Sequence, residues 1–286
     1  MVSQNKVKNK KSVNEIYSMK IIQQKSSTVG LIHSLGGCGG TLLAQCIGVL
    51  QNVVLLSECN PLSATLFDYN LNPYVQIQKW YPDVFAAVKD KFSAEDLQSA
   101  DHFRHFITLV KSILDEKNHY LIIRDYNYID YFGIPFLDRP PLYSNLIKSL
   151  ANAFPVKQTI LIRHPLHQYN SLRSHGILKD VLSPDIFLEG YDRFLNDFEG
   201  CKIIKYEDMV SHPGESISYL SGFLEVPFSK DFMTKFHTNQ SVTGNFKRMG
   251  ETKISLPAQK MEMDPWSEKL QNDPEFNILL NKLEYS

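Results

Sequence analysis

The stretch "TVGLIHSLGGCGGTLLAQCIGVL", residues 28–50, decides the reading of the fold. Its first part, "TVGLIHS" (28–34), is a β-rich run, and its last part, "GTLLAQCIGVL" (40–50), has helical periodicity. Between them four glycines fall within five positions, Gly36, Gly37, Gly39 and Gly40, and Thr41 follows. Glycine adopts positive φ and lets the backbone approach a ligand closely. A glycine loop that opens a helix aims successive N–H groups at one spot, where the helix dipole favours an anion. The run Gly36, Gly37, Cys38, Gly39, Gly40, Thr41 and Leu42 is therefore a candidate phosphate cradle. The plainer reading of the same glycines is a tight strand-to-helix turn packed on a sheet.

Working outward, short apolar runs recur: "NVVLLSE" (52–58), "HYLIIRD" (119–125), "KQTILIR" (157–163) and "CKIIKYE" (201–207). Each reads as a buried strand. Helical patterns separate them: about 73–117, 144–154 behind a Ser cap, 165–175 with Pro in its first turn, 185–198, 214–224 and 230–237. An aromatic and proline-rich loop, "YNYIDYFGIPFLDRPPLY", is expected over 126–143. Alternating strands and helices predict a doubly wound, mostly parallel α/β sheet flanked by helices. Ligands of such sheets bind at the carboxyl ends of the strands. Three polar clusters fall there: the glycine loop, Arg163, and Tyr206–Glu207–Asp208.

Composition narrows the classes. The 286 residues carry 30 Lys and Arg against 31 Asp and Glu, a balance that argues against a dedicated nucleic-acid binder. Residues 1–27 hold six lysines and one glutamate, which reads as a solvated tail or as an arm for a membrane surface or partner. Residues 28–286 read as a single α/β domain. Four cysteines without metal-binding spacing predict free thiols, a reducing, cytoplasmic compartment and no metal. No run approaches eighteen apolar residues, so no transmembrane segment is expected, and the polar start does not read as a secretory signal.

Three later segments carry a resemblance. In "ILIRHPLHQYNSLRSHG" (160–176), Arg163 ends a strand, Pro165 opens a helix, and Ser171 follows eight residues after the arginine. This resembles the 3′-phosphate motif of the sulfotransferases that use 3′-phosphoadenosine-5′-phosphosulfate (PAPS). "IIKYEDMVSHPGESISYLSGFLEVP" (203–227) is similar to that family's segment of strand, Tyr-Glu-Asp and amphipathic helix. "SVTGNFKRMG" (241–250) is similar to its C-terminal basic loop. The resemblance implies a P-loop sulfotransferase fold, with PAPS as donor and no metal. It implies that Arg163, Ser171, Lys247 and Arg248 hold the 3′-phosphate, that Tyr206 lies near the adenine, and that Gly36 to Leu42 hold the 5′-phosphosulfate.

The glycine run departs from the family at one telling place. Gly39 and Thr41 match; Gly37 stands where the family has a basic residue, and Cys38 and Gly40 where it often has Ser and Thr. Arg124, ending "LIIR", is the candidate replacement cation. One branch of the family places a His after the strand matched by "LIIRDYN", and here Asp125 and Tyr126 stand there. Another places a Glu after the second strand, where Glu58 stands, so Glu58 is the first candidate base, Asp125 the second and His33 a weaker third. The aromatics of 126–136 fit an acceptor pocket or the core equally. The acceptor stays open among small molecules, carbohydrates and peptides, as does the oligomeric state. Two other readings remain: a non-catalytic PAPS-binding protein of the same fold, and a nucleotide hydrolase or kinase. The usual triphosphate loop, GxxxxGK[ST], fails at Ser34 and Gly40, which counts against the last.

Overall fold

The computed structural model describes residues 28–62, 69–244, 251–256 and 263–285. The tail expected over 1–27 lies outside the described residues. Strand β1 (Val29–His33) leads through the glycine loop into helix α1 (Gly40–Gly48), and β2 (Val53–Ser57) follows. Helices α2 (Pro73–Trp80), α3 (Pro82–Val88) and α4 (Ala100–Glu116) lead to β3 (Tyr120–Arg124). Helices α5 (Asn127–Tyr131) and α6 (Asn145–Leu150) precede β4 (Val156–Ile162). Helices α7 (Pro165–Arg173) and α8 (Pro184–Asp197) precede β5 (Lys202–Lys205). Then come α9 (Tyr206–Ser211), α10 (Pro213–Leu224), α11 (Phe232–Lys235), α12 (Pro265–Gln271) and α13 (Pro274–Lys282).

The five strands form one sheet in the order β2-β3-β1-β4-β5, with every neighbouring pair parallel. Side chains alternate between its faces, as the two-residue period of a strand requires. Ile32, Leu55, Ile122, Leu161 and Ile204 pack with Leu43 and Ile47 of α1 and Leu220 and Leu224 of α10. On the opposite face Leu31, Val54, Leu121 and Ile123 meet Phe103, Phe106, Ile107 and Val110 of α4. Ile160 and Ile162 meet α7 and α8. Each such buried side chain contributes about 1.5–3 kcal/mol of transfer free energy, so burial on both faces fixes the register.

From β1 the chain crosses toward β2, and from β4 it crosses the other way to β5. The reversal opens a crevice between the carboxyl ends of β1 and β4, where doubly wound sheets bind ligands. The glycine loop follows β1 and Arg163 follows β4, so the sequence elements singled out above meet there. Two boundaries differ from expectation. Tyr206 opens α9 instead of extending β5, and Glu207 and Asp208 occupy its first turn, where acidic groups suit the helix dipole. The expected loop at 126–143 contains α5, because Tyr128, Tyr131 and Phe132 have the spacing that buries one helical face. Among the described residues no helix is long and apolar enough to cross a membrane.

Candidate active site

The glycine loop is held by its backbone. Gly37 and Gly39 have φ of 80° and 89°, in the left-handed region. Gly39 caps α1, and its carbonyl accepts from the Leu43 N–H at 3.1 Å. Cys38 is turned inward: its thiol donates to the Leu35 carbonyl at 2.7 Å, and burial pushes its pKa up to about 11. Cys38 thus offers a ligand its backbone only. Leu42 is half-buried against the core beneath α1, and the half-buried Thr41 hydroxyl points toward the Thr243 carbonyl, 3.4 Å away.

Arg124 comes to this loop from the end of β3. A side chain on Gly40 would place its Cβ 2.7 Å from Arg124 Nη1 and 3.1 Å from Ser34 Oγ. The space that a lysine fills in the triphosphate loop is here occupied by the guanidinium of another strand. Arg124 is 3% exposed. Its Nη2 donates to Ser57 Oγ at 3.0 Å and to the Thr243 carbonyl at 2.8 Å, and pairs with Glu58 Oε1 at 3.2 Å. Glu58 has φ of 56° in the turn that ends β2, which swings its carboxylate toward the arginine. Arg124 and Glu58, 66 positions apart in the chain, thus form an ion pair beside the cradle.

Across the crevice, Arg163 Nη1 donates to the Gly37 carbonyl at 3.1 Å. Its guanidinium lies 4.9 Å from the centre of the Tyr206 ring. Gln168 of α7 donates to the Gly36 carbonyl at 2.9 Å, so the loop is joined both to the end of β4 and to α7. His164 and His167 flank Arg163 with rings 4.9 Å apart. Burial lowers both imidazole pKa values, and the Arg163 charge lowers them further. Two guanidiniums, a helix N-terminus and a hydroxyl therefore surround one cradle, a donor set suited to a multiply charged anion. The Nε atoms of Arg124 and Arg163 are buried without a hydrogen-bond partner among the described residues.

No protein-family model matches the chain. No curated protein matches its sequence either. Solved structures do match. The sulfotransferase domain from the Synechococcus PCC 7002 olefin synthase aligns with a TM-score of 0.55 at 14% identity, over 93% of this chain and 98% of that one. The sulfotransferase domain from the curacin biosynthetic pathway aligns with a TM-score of 0.51 at 16% identity, over 91% of this chain and 98% of that one. The fold is that of the sulfotransferases.

Within this sulfotransferase fold the remaining candidate residues fall unevenly. Tyr206 is 3% exposed and belongs to the core beside α1 and α10. Its ring fills the place of a Gly39 side chain, whose Cβ would lie 2.2 Å from Cδ2. It therefore packs directly against the loop, with the Arg163 guanidinium at its ring. Ser171 is half-buried on α7, one turn beyond Gln168. Lys247 and Arg248 lie outside the described residues, although the chain reaches Thr41 and Arg124 at Gly244, three positions before Lys247.

Asp125 is placed differently from the expectation of a base. Its side chain is fully buried and lies 3.1 Å from His33 Nδ1. It also accepts from Asn60, Asn127 and Ser144 at 3.1, 2.8 and 3.0 Å. Three of these contacts fall on Oδ2 and one on Oδ1, so the carboxylate is bound into a buried polar network. His33, fully buried and stacked near Phe198, belongs to the same network. Asp130 shares the Asn60 amide, and burial, with repulsion from Asp125, raises its pKa well above the carboxylate norm. Sequence reading missed Ser57, Thr243 and Gly244. Thr243 and Gly244 stand inside the quoted segment 241–250, but the polar contacts of Thr243 are with residues about 120 to 200 positions away, and no local pattern marks those.

Proposed function

We propose that the protein is a sulfotransferase that moves a sulfuryl group from PAPS to an acceptor hydroxyl or amine. The observation that carries the proposal is Arg124 beside Gly40: β3 brings a guanidinium to a glycine loop that carries no cation of its own, within reach of Glu58. PAPS, when bound, would supply the sulfuryl group and leave as 3′,5′-ADP. The N–H groups of Gly39 to Thr41 and the Thr41 hydroxyl would hold its 5′ end, and Arg163 with Ser171 its 3′-phosphate. Arg124 would face the oxygen that gains charge as the sulfur–oxygen bond breaks; a positioned donor of this kind is worth roughly 10²–10³ in rate. Glu58, 17% exposed at the crevice edge, would take the acceptor proton.

The reading as a nucleotide hydrolase or kinase needs Asp125 for magnesium, and the four donors around that carboxylate count against it. We further propose that residues 28–286 work as one domain in a reducing, cytoplasmic setting; the four free cysteines support the setting. Thermal unfolding with 3′,5′-ADP, 5′-AMP and ATP–magnesium tests the proposal, since a ligand that binds only the folded state raises the melting temperature. A rise with 3′,5′-ADP alone is expected. A rise with ATP–magnesium alone overturns the proposal. Binding of 3′,5′-ADP with no turnover of PAPS on any acceptor would favour a non-catalytic role.

A further inference from the structure

We propose that Thr243, working with Ser57, is a positioning residue that clamps Arg124 over the glycine loop. The inference rests on the PAPS reading above and adds to it two residues to which that reading gives no role. The segment 239–244 crosses α1 as a strap. Asn239 anchors it, with its Nδ2 3.5 and 3.4 Å from the Ala44 and Gln45 carbonyls of α1 and its Oδ1 accepting from the Ser241 N–H at 2.9 Å. Val242, 2% exposed, enters the core beside α1.

The strap then closes a ring of bonds with the end of β2. The Thr243 N–H donates to Ser57 Oγ at 3.1 Å, and the Thr243 hydroxyl donates to the Ser57 carbonyl at 3.0 Å. The two hydroxyls are 3.1 Å apart. Arg124 Nη2 donates into this ring at both Ser57 Oγ and the Thr243 carbonyl. An arginine side chain has several rotatable bonds, and holding its head in one place costs rotamer entropy. Two acceptors fixed to each other remove that freedom before any ligand arrives, so Nη1 stays at Gly40. Gly244 completes the fit. With φ of 110° it has no Cβ where one would lie 2.3 Å from Thr41 Oγ1, 3.3 Å from Glu58 Oε1 and 3.4 Å from Arg124 Nη2.

The test is calorimetry of PAPS and 3′,5′-ADP with the full chain and its Arg124→Ala, Thr243→Val, Thr243→Ser and Ser57→Ala variants, with Arg124→Ala combined with Thr243→Val. Thr243→Val keeps the volume and removes the hydroxyl. Thr243→Val and Ser57→Ala are each expected to weaken PAPS about tenfold, Thr243→Ser to restore it, and Thr243→Val to add nothing in the Arg124→Ala background. A merely structural threonine would lower affinity in both backgrounds. PAPS affinity unchanged in Thr243→Val and Ser57→Ala, or losses that add to that of Arg124→Ala, would overturn the clamp while leaving the nucleotide site standing. Failure of the unaltered protein to bind either nucleotide would instead remove the PAPS reading. Ser57→Ala keeps the test decisive if Thr243→Val does not fold.

Discussion

At Gly40 a single missing side chain makes room for the charge of another residue. The Arg124 head group stands where a Cβ would be, so even alanine there must move it. Gly40→Ala is expected to fold and to weaken PAPS binding; calorimetry showing wild-type affinity would mean that Arg124 Nη1 does not serve the loop. Gly40→Lys, which restores the triphosphate pattern on paper, is expected to weaken PAPS binding further, because the added chain competes with Arg124 for one space. Arg163 is simpler, a guanidinium beside Gly37. Arg163→Ala should cost about 1.5–3 kcal/mol of 3′,5′-ADP affinity, the worth of a charged hydrogen bond. Unchanged affinity would take Arg163 out of the site. At this scale the sequence was readable wherever glycines and charges cluster locally, as at 36–41 and 163. It was silent on Ser57, because a serine at a strand end has many ordinary uses.

Elements show why aromatic runs mislead. The segment 126–136 reads equally as pocket or core, since both want large apolar rings. Tyr128, Tyr131 and Phe132 proved to be 4%, 1% and 1% exposed, Tyr131 and Phe132 packing on Phe194 and Phe187 of α8 and the Tyr131 hydroxyl donating to Asp197 at 2.6 Å. Phe136, 40% exposed, is the ring left at the surface. Helix caps were more legible. Ser144 was read as a cap, and its hydroxyl accepts from the Ile147 N–H. The structure adds that the same hydroxyl donates to the buried Asp125. Ser183 caps α8, accepting from the Ile186 N–H at 3.3 Å, and has no such second bond among the described residues. Ser183→Ala should therefore cost about 1 kcal/mol, and Ser144→Ala about 2–4 kcal/mol, because it also strips a donor from a buried carboxylate. Urea unfolding of the two variants compares them directly; equal losses would mean that the Asp125 bond adds nothing.

Across the whole molecule, strand alternation alone predicted a parallel sheet, and the five-stranded order bears that out. Helices α12 and α13 went unread, because their Asp caps, Asp264 and Asp273, stand in a polar stretch with little apolar periodicity. Burial of the cysteines follows from the same sheet. Cys38, Cys46 and Cys59 lie in the interior and Cys201 at its margin. Burial raises the pKa of all four thiols, that of Cys38 to about 11 against an ordinary 9.0. The thiolate is the reactive form, so at pH 8 a disulfide reagent should modify Cys201 quickly in the native protein, Cys38 only as the glycine loop opens, and Cys46 and Cys59 only on unfolding. Because the native state keeps the Cys38 proton that the unfolded chain has lost, stability should fall as pH rises from about 9 toward about 11. Cys38 sits under the glycine loop, bonded to Leu35, so its labelling requires the loop to open. Saturating 3′,5′-ADP should then slow labelling of Cys38 and leave Cys201 unaffected. Equal protection of Cys38, Cys46 and Cys59 would place the nucleotide's effect on global stability, and none at Cys38 would place the nucleotide away from the loop.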